Sequence, residues 1–131
     1  MRFSVKRVRH MPRELEPGVL YVSDEFSTAA HLCACGCGAK IRTPLGPTDW
    51  QMTTSRRGPT LHPSIGNWQE PCQSHYIISA GEVIWMDRWS PEQIAAGRRG
   101  EERRSREYFE SRKRKGIFRR VWSWLGSRLR R

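Results

Sequence analysis

Four cysteines and three of the four histidines fall within one stretch, His31 to Tyr76. It opens on His31-Leu32-Cys33-Ala34-Cys35-Gly36-Cys37-Gly38. It closes on Pro63-Ser64-Ile65-Gly66-Asn67-Trp68 and Pro71-Cys72-Gln73-Ser74-His75-Tyr76. Thiols and imidazoles gathered this way can hold a metal ion. An alcohol beside an imidazole can do nucleophilic catalysis. The stretch carries the residue types for both.

Structural zinc sites use thiolate and imidazole in closed tetrahedral sets of four. Cys33, Cys35, Cys37 and Cys72 supply one such set. A rival set exchanges one thiolate for His75, since Cys72 and His75 form C-x-x-H. The C-x-C-x-C spacing is less usual than paired C-x-x-C knuckles, and a buried group of free thiols is the plain alternative. Thiolate-rich tetrahedral sites suit zinc, with an iron–sulfur cluster as the competing occupant. The expected cofactor is structural zinc, and metal binding to such a site is coupled to folding.

If the cysteines take the metal, His31 and His75 are left beside Ser64 and Ser74. Ser64 follows Pro63 and precedes Ile65-Gly66, a sharp-turn pattern that can present backbone N–H groups to an oxyanion. A serine hydroxyl is a poor nucleophile until a base takes its proton. His75 is the first choice of base and His31 the second. Asn67, Asp24 or Asp49 could orient the imidazole. Ser74 directly precedes His75, so in a strand the two would point to opposite faces. The plain alternative is that Ser64 serves a turn and that His75 is a metal ligand or a core histidine.

These residues need elements to position them. Phe3, Val5 and Val8 mark a first strand, Val19 to Val22 a second, and Ser27 to Cys35 a third that enters the cysteine cluster. If that strand stays extended, His31, Cys33 and Cys35 share a face. Gly36 and Gly38 flank Cys37 and suit a tight turn. Ala39 to Leu45, Trp50 to Thr54, His75 to Ser79 and Glu82 to Asp87 read as further strands, the last two joined by Ala80-Gly81. Residues 1–88 therefore read as a zinc-stabilised, mostly antiparallel β domain carrying the candidate site. Ser90-Pro91-Glu92-Gln93 is a capping box that starts a helix. Residues 91–115 have few apolar side chains and are interrupted by Gly97 and Gly100, so a well-packed helix there is not expected. Ile117, Phe118, Val121, Trp122, Trp124, Leu125 and Leu129 then fall within roughly 160° of a helical wheel. Arg119, Arg120, Arg130 and Arg131 take the other face, and Arg128 intrudes on the apolar one. The fold class is mostly β with a basic tail over residues 89–131, helical or partly disordered.

The formal net charge of +11 is uneven: residues 1–88 carry +2 and residues 89–131 carry +9. A basic tail of this kind is either solvated or drawn to nucleic acid or an anionic membrane. No secretory signal is visible, and no apolar run approaches the roughly 18–20 residues that span a bilayer. The expected location is cytoplasmic, where thiols stay reduced, which favours a metal over disulfides.

The three motifs, followed by Gly81 and Trp85, resemble a family of small bacterial proteins encoded in operons for ubiquitin-like conjugation, beside E1-like and E2-like enzymes. The likeness covers roughly residues 15–88. Ala34 stands in place of a proline, Gln69-Glu70 replaces a more apolar pair, and the tail lies outside the family core. The resemblance implies a serine-type, deubiquitinase-like peptidase that cleaves at the C-terminus of a ubiquitin-like protein, in precursor processing or deconjugation. It matches Ser64 and His75 to nucleophile and base, and the cysteines to a metal cluster. Trp68 and Gly66 are the candidate substrate-binding residues. The implied partners are the ubiquitin-like protein, its conjugates and the E1/E2-like enzymes. The competing function is a non-catalytic zinc-binding module that binds nucleic acid through its basic tail, where Phe118, Trp122 and Trp124 could stack on bases.

Overall fold

A computed structural model describes residues 1–129, with side chains to Gly126. Arg130 and Arg131, and the side chains of Arg128 and Leu129, lie outside the described residues. The chain divides into two units, Met1–Ser90 and Pro91–Arg131.

The first unit holds eight strands: β1 (Ser4–Arg7), β2 (Val19–Ser23), β3 (Thr28–Leu32), β4 (Lys40–Pro44), β5 (Gln51–Ser55), β6 (Gly58–Gly66), β7 (His75–Ser79) and β8 (Glu82–Trp85). They form two four-stranded sheets in sequence order, β1-β2-β3-β4 and β5-β6-β7-β8. All pairings are antiparallel except β1 with β2, which are parallel. Period-two alternation sends Leu20 and Val22 of β2 and Tyr76 and Ile78 of β7 into one shared core, which Phe3, Ala29, Leu61 and Ile65 complete.

Two hairpin turns and the chain start meet where the sheets join. Ala80 and Gly81 both have positive φ (48° and 83°), as a two-residue type I′ turn requires. Phe3 donates its N–H to the Gly81 carbonyl. A Cβ on Gly58 would lie 2.6 Å from the Gly81 Cα and 2.8 Å from the Phe3 carbonyl oxygen. Only glycine lets these three backbones come so close.

Two local expectations change. The third strand stops at Leu32, so Cys33 and Cys35 are not on a strand face with His31. They sit in the following loop, where Gly36 and Gly38 take positive φ. Ser64 is not on a turn but inside β6, where the register shifts between Leu61 and Ile65. Leu61 pairs with Ile78 and Ile65 with Tyr76, so four steps along β6 answer two along β7. The surplus is a bulge, and bulges re-aim side chains beside active sites.

The second unit is one helix, α1 (Pro91–Leu129), with Glu92 in its first turn. It runs unbroken through Gly97 and Gly100. Arginine, glutamate and alanine favour helix, and Glu102/Arg106 and Glu110/Arg114 stand at supportive i, i+4 spacing. No helix among the described residues is long and apolar enough to cross a membrane.

Candidate active site

Ile65 and Tyr76 pair across β6 and β7 and both point into the core. One step along either strand reverses the face. Ser64 and His75 are therefore both on the opposite face, diagonal to one another. Their side chains meet there: His75 Nε2 lies 2.9 Å from Ser64 Oγ. The other ring nitrogen, Nδ1, lies 2.7 Å from the backbone carbonyl of Asp87. A carbonyl can only accept, so Nδ1 carries the proton. The neutral ring then presents the Nε2 lone pair to Ser64, whose hydroxyl donates. The His75 carbonyl accepts from the Met86 N–H, so the segment after β8 holds this residue by both backbone and ring.

Two indoles wall the imidazole. The Trp68 ring is 4.9 Å and the Trp89 ring 5.1 Å from it, centroid to centroid, and the two indoles stack at 5.6 Å and 18°. Gly66 faces His75 across the strands. A Cβ there would sit 2.4 Å from Trp68 Nε1, so the missing side chain makes the room that the indole fills. His75 is buried, and Ser64 is half-buried.

The four cysteine sulfurs all lie within 4.8 Å of one another. Cys33 is 3.4 Å from Cys35 and 3.8 Å from Cys72, and Cys37 is 3.8 Å from Cys72. A tetrahedron with metal–sulfur bonds of about 2.3 Å has edges of roughly 3.8 Å. The donor set fits one tetrahedral metal ion. Three sulfurs come from the β3–β4 loop and the fourth from the β6–β7 loop. The second loop is closed by Asn67 N–H to the Ser74 carbonyl, Glu70 N–H to Asn67 and Gln73 N–H to Glu70. Burial raises the Cys33 thiol. The Ser74 hydroxyl, bonded to Cys35, draws that thiol down to about 6.

The remaining sequence candidates lie elsewhere. His31 is fully buried in the core, its Nε2 2.7 Å from the Tyr76 hydroxyl, and it makes no hydrogen bond to Ser64. Its Nδ1 has no hydrogen-bond partner among the described residues, and burial lowers its pKa to about 4. Asn67 turns to the cysteines: its Nδ2 donates to Cys33 Sγ at 3.2 Å. Asp24 pairs with Arg7 on the surface. With both His75 nitrogens taken by Ser64 and the Asp87 carbonyl, none of Asn67, Asp24 or Asp49 orients the ring. Trp89 and the Asp87 carbonyl are the site components that sequence reasoning missed. A backbone acceptor has no residue signature, though Trp85 and Trp89 at the domain edge were a visible aromatic cue.

Compared with known proteins, residues 7–86 match a family model described as a bacterial ubiquitination-like system serine protease (BubE). No curated protein and no solved structure matches the chain.

Proposed function

Because the chain belongs to the BubE family of bacterial ubiquitination-like system serine proteases, we propose that it is a peptidase or isopeptidase acting at the C-terminus of a ubiquitin-like protein. Ser64 is the nucleophile and His75 the general base. The observation that carries this reading is the 2.9 Å contact between His75 Nε2 and Ser64 Oγ with Nδ1 held by the Asp87 carbonyl. That separation lies within the roughly 2.6–3.2 Å that proton abstraction needs.

In this mechanism His75 takes the Ser64 proton as Oγ attacks the carbonyl carbon of the modifier's last residue. Backbone N–H groups near Gly66 receive the oxyanion. The C–N bond breaks, and His75 returns the proton to the departing amine. Water, deprotonated by His75, then attacks the acyl ester and releases the modifier's carboxylate and Ser64. His31, in this reading, serves the core. The Trp68–Trp89 pair stands beside Gly66 and the His75 ring, where in this reading it would flank the incoming chain. That suits an extended, glycine-rich C-terminus, which needs no side-chain pocket. The cysteine set would hold zinc, a closed structural site that joins the β6–β7 loop, and hence the stretch beside Ser64, to the other sheet. The modifier's conjugates, and the E1/E2-like enzymes that make them, are the fitting partners.

The test is cleavage of a ubiquitin-like precursor and its conjugate, together with labelling by a fluorophosphonate. The expected result is a Ser64 adduct, with cleavage lost by a factor on the order of 10³ or more in Ser64→Ala. Undiminished cleavage by Ser64→Ala would remove Ser64 from the mechanism.

A further inference from the structure

The far end of α1 carries a feature that the hydrolase reading does not use. Ile117, Phe118, Val121, Trp122, Trp124 and Leu125 are large and apolar within nine residues, and all are exposed, Ile117, Phe118 and Trp122 by more than 60%. The earlier part of the helix, from Arg98 to Arg112, has only Tyr108 and Phe109 among the charges. The apolar surface is therefore local and contiguous rather than scattered, and such a patch marks an interaction site.

Its layout is ordered. At 100° per residue, Ile117, Val121, Leu125 and Phe118 occupy the centre of an arc roughly 160° wide. Trp124 and Trp122 stand at its two edges. Beyond one edge come Lys115 and Arg119, and beyond the other Arg120 and Lys113; Arg114 falls within the arc, one turn before the apolar residues begin. Aliphatic centre, indole rims and cationic flanks reproduce the gradient of a bilayer surface from acyl chain to headgroup. Lysine and arginine stems can lie along the apolar zone while their charges reach phosphate.

We propose that α1 from Lys113 to Leu125 binds flat on an anionic lipid bilayer, with Ile117, Phe118, Val121 and Leu125 inserted and Trp122 and Trp124 at headgroup level. The charge complementarity of the flanks points to this occupant. A nucleic-acid face would set most of its cations in the middle of the contact, where this helix sets Ile117, Val121, Leu125 and Phe118, with Arg114 alone among them within Lys113–Leu125. A coiled-coil partner would want a narrower seam, repeated over several heptads. The helix is too short of apolar residues to cross the bilayer, so it would lie on the surface.

The test is sedimentation of the full chain with vesicles of phosphatidylcholine alone and of phosphatidylcholine with phosphatidylglycerol. We expect partition into the anionic vesicles, weakened by salt, and little into the neutral ones. Val121→Glu with Leu125→Glu should lower it by at least about tenfold, and Arg119→Gln with Arg120→Gln by on the order of tenfold. These side chains are exposed, and far-UV circular dichroism verifies that the helix persists. Absence of partition into anionic vesicles would overturn the proposal, as would partition unchanged by the two glutamates. So would binding of a DNA duplex that survives the glutamates while vesicles are ignored, or self-association abolished by them without vesicle binding.

Discussion

A serine becomes reactive only through the tautomer of the base beside it. In this chain the tautomer is set by a carbonyl: Asp87 accepts from His75 Nδ1 and so frees Nε2 for Ser64. The Asp87 carboxylate plays no part in that contact, so Asp87→Asn should leave cleavage within a few-fold of the parent, measured as kcat/KM. Loss on the order of 10³-fold or more would mean that a carboxylate is needed after all. His31 shows the opposite chemistry. Its pKa is lowered to about 4 by burial, whereas the unfolded chain protonates it near 6.5. Between those values the unfolded state binds the extra proton, so stability falls as pH falls through this window, by about 3 kcal/mol in all. In denaturant titrations at pH 7 and pH 5, where thiolates can still hold a metal, His31→Gln should lack the part of this component that falls in that range. An identical acid loss in parent and variant would contradict a buried neutral His31. Differencing the two proteins cancels the acid loss common to both through the thiolates.

At the scale of elements, the β6 bulge and the glycine that follows it decide where the site residues stand. Ile65 faces the core opposite Tyr76, so Ser64, one step before it, takes the face of His75, and the surplus since Leu61 brings it into that register. Gly66 leaves room for the Trp68 indole. In Gly66→Ala the added methyl would fall within 2.4–2.8 Å of three Trp68 ring atoms, so the rigid indole must leave the His75 ring. A stability loss of about 1–3 kcal/mol is expected from such overpacking, along with a fall in cleavage, read by thermal melting and by initial rates. Gly66→Ala that melts and cleaves like the parent would show that Trp68 does not shape the site. Most strand positions were legible, because alternation of apolar residues reports which face is buried. The bulge was not, since Pro63-Ser64-Ile65-Gly66 has turn chemistry whether or not a partner strand lies alongside.

For the molecule as a whole, the cysteines bind the two sheets at the end where the site lies. Cys33, Cys35 and Cys37 come from one sheet's loop and Cys72 from the other's, and Asn67 adds a hydrogen bond to Cys33 across the same junction. The shared apolar core is modest, so a metal there should contribute heavily to folding. Stripping metal with a strong chelator is expected to abolish the cooperative β transition of residues 1–88 and to leave the helical signal of α1, followed by circular dichroism and by metal content. A metal-free protein with an unchanged melting temperature would show that the cluster does not support the fold.

Residue type and spacing by themselves determined the mostly β body, the helix start at Pro91 and the basic and aromatic character of the helix end, and narrowed the metal set to the four cysteines or three of them with His75. These are local properties: alternation, capping chemistry and charge depend on neighbours in sequence. Which histidine meets Ser64, and what orients it, was decided only by the tertiary structure. Strand register and a bulge set those contacts, and the orienting group is a backbone carbonyl, which every residue carries alike.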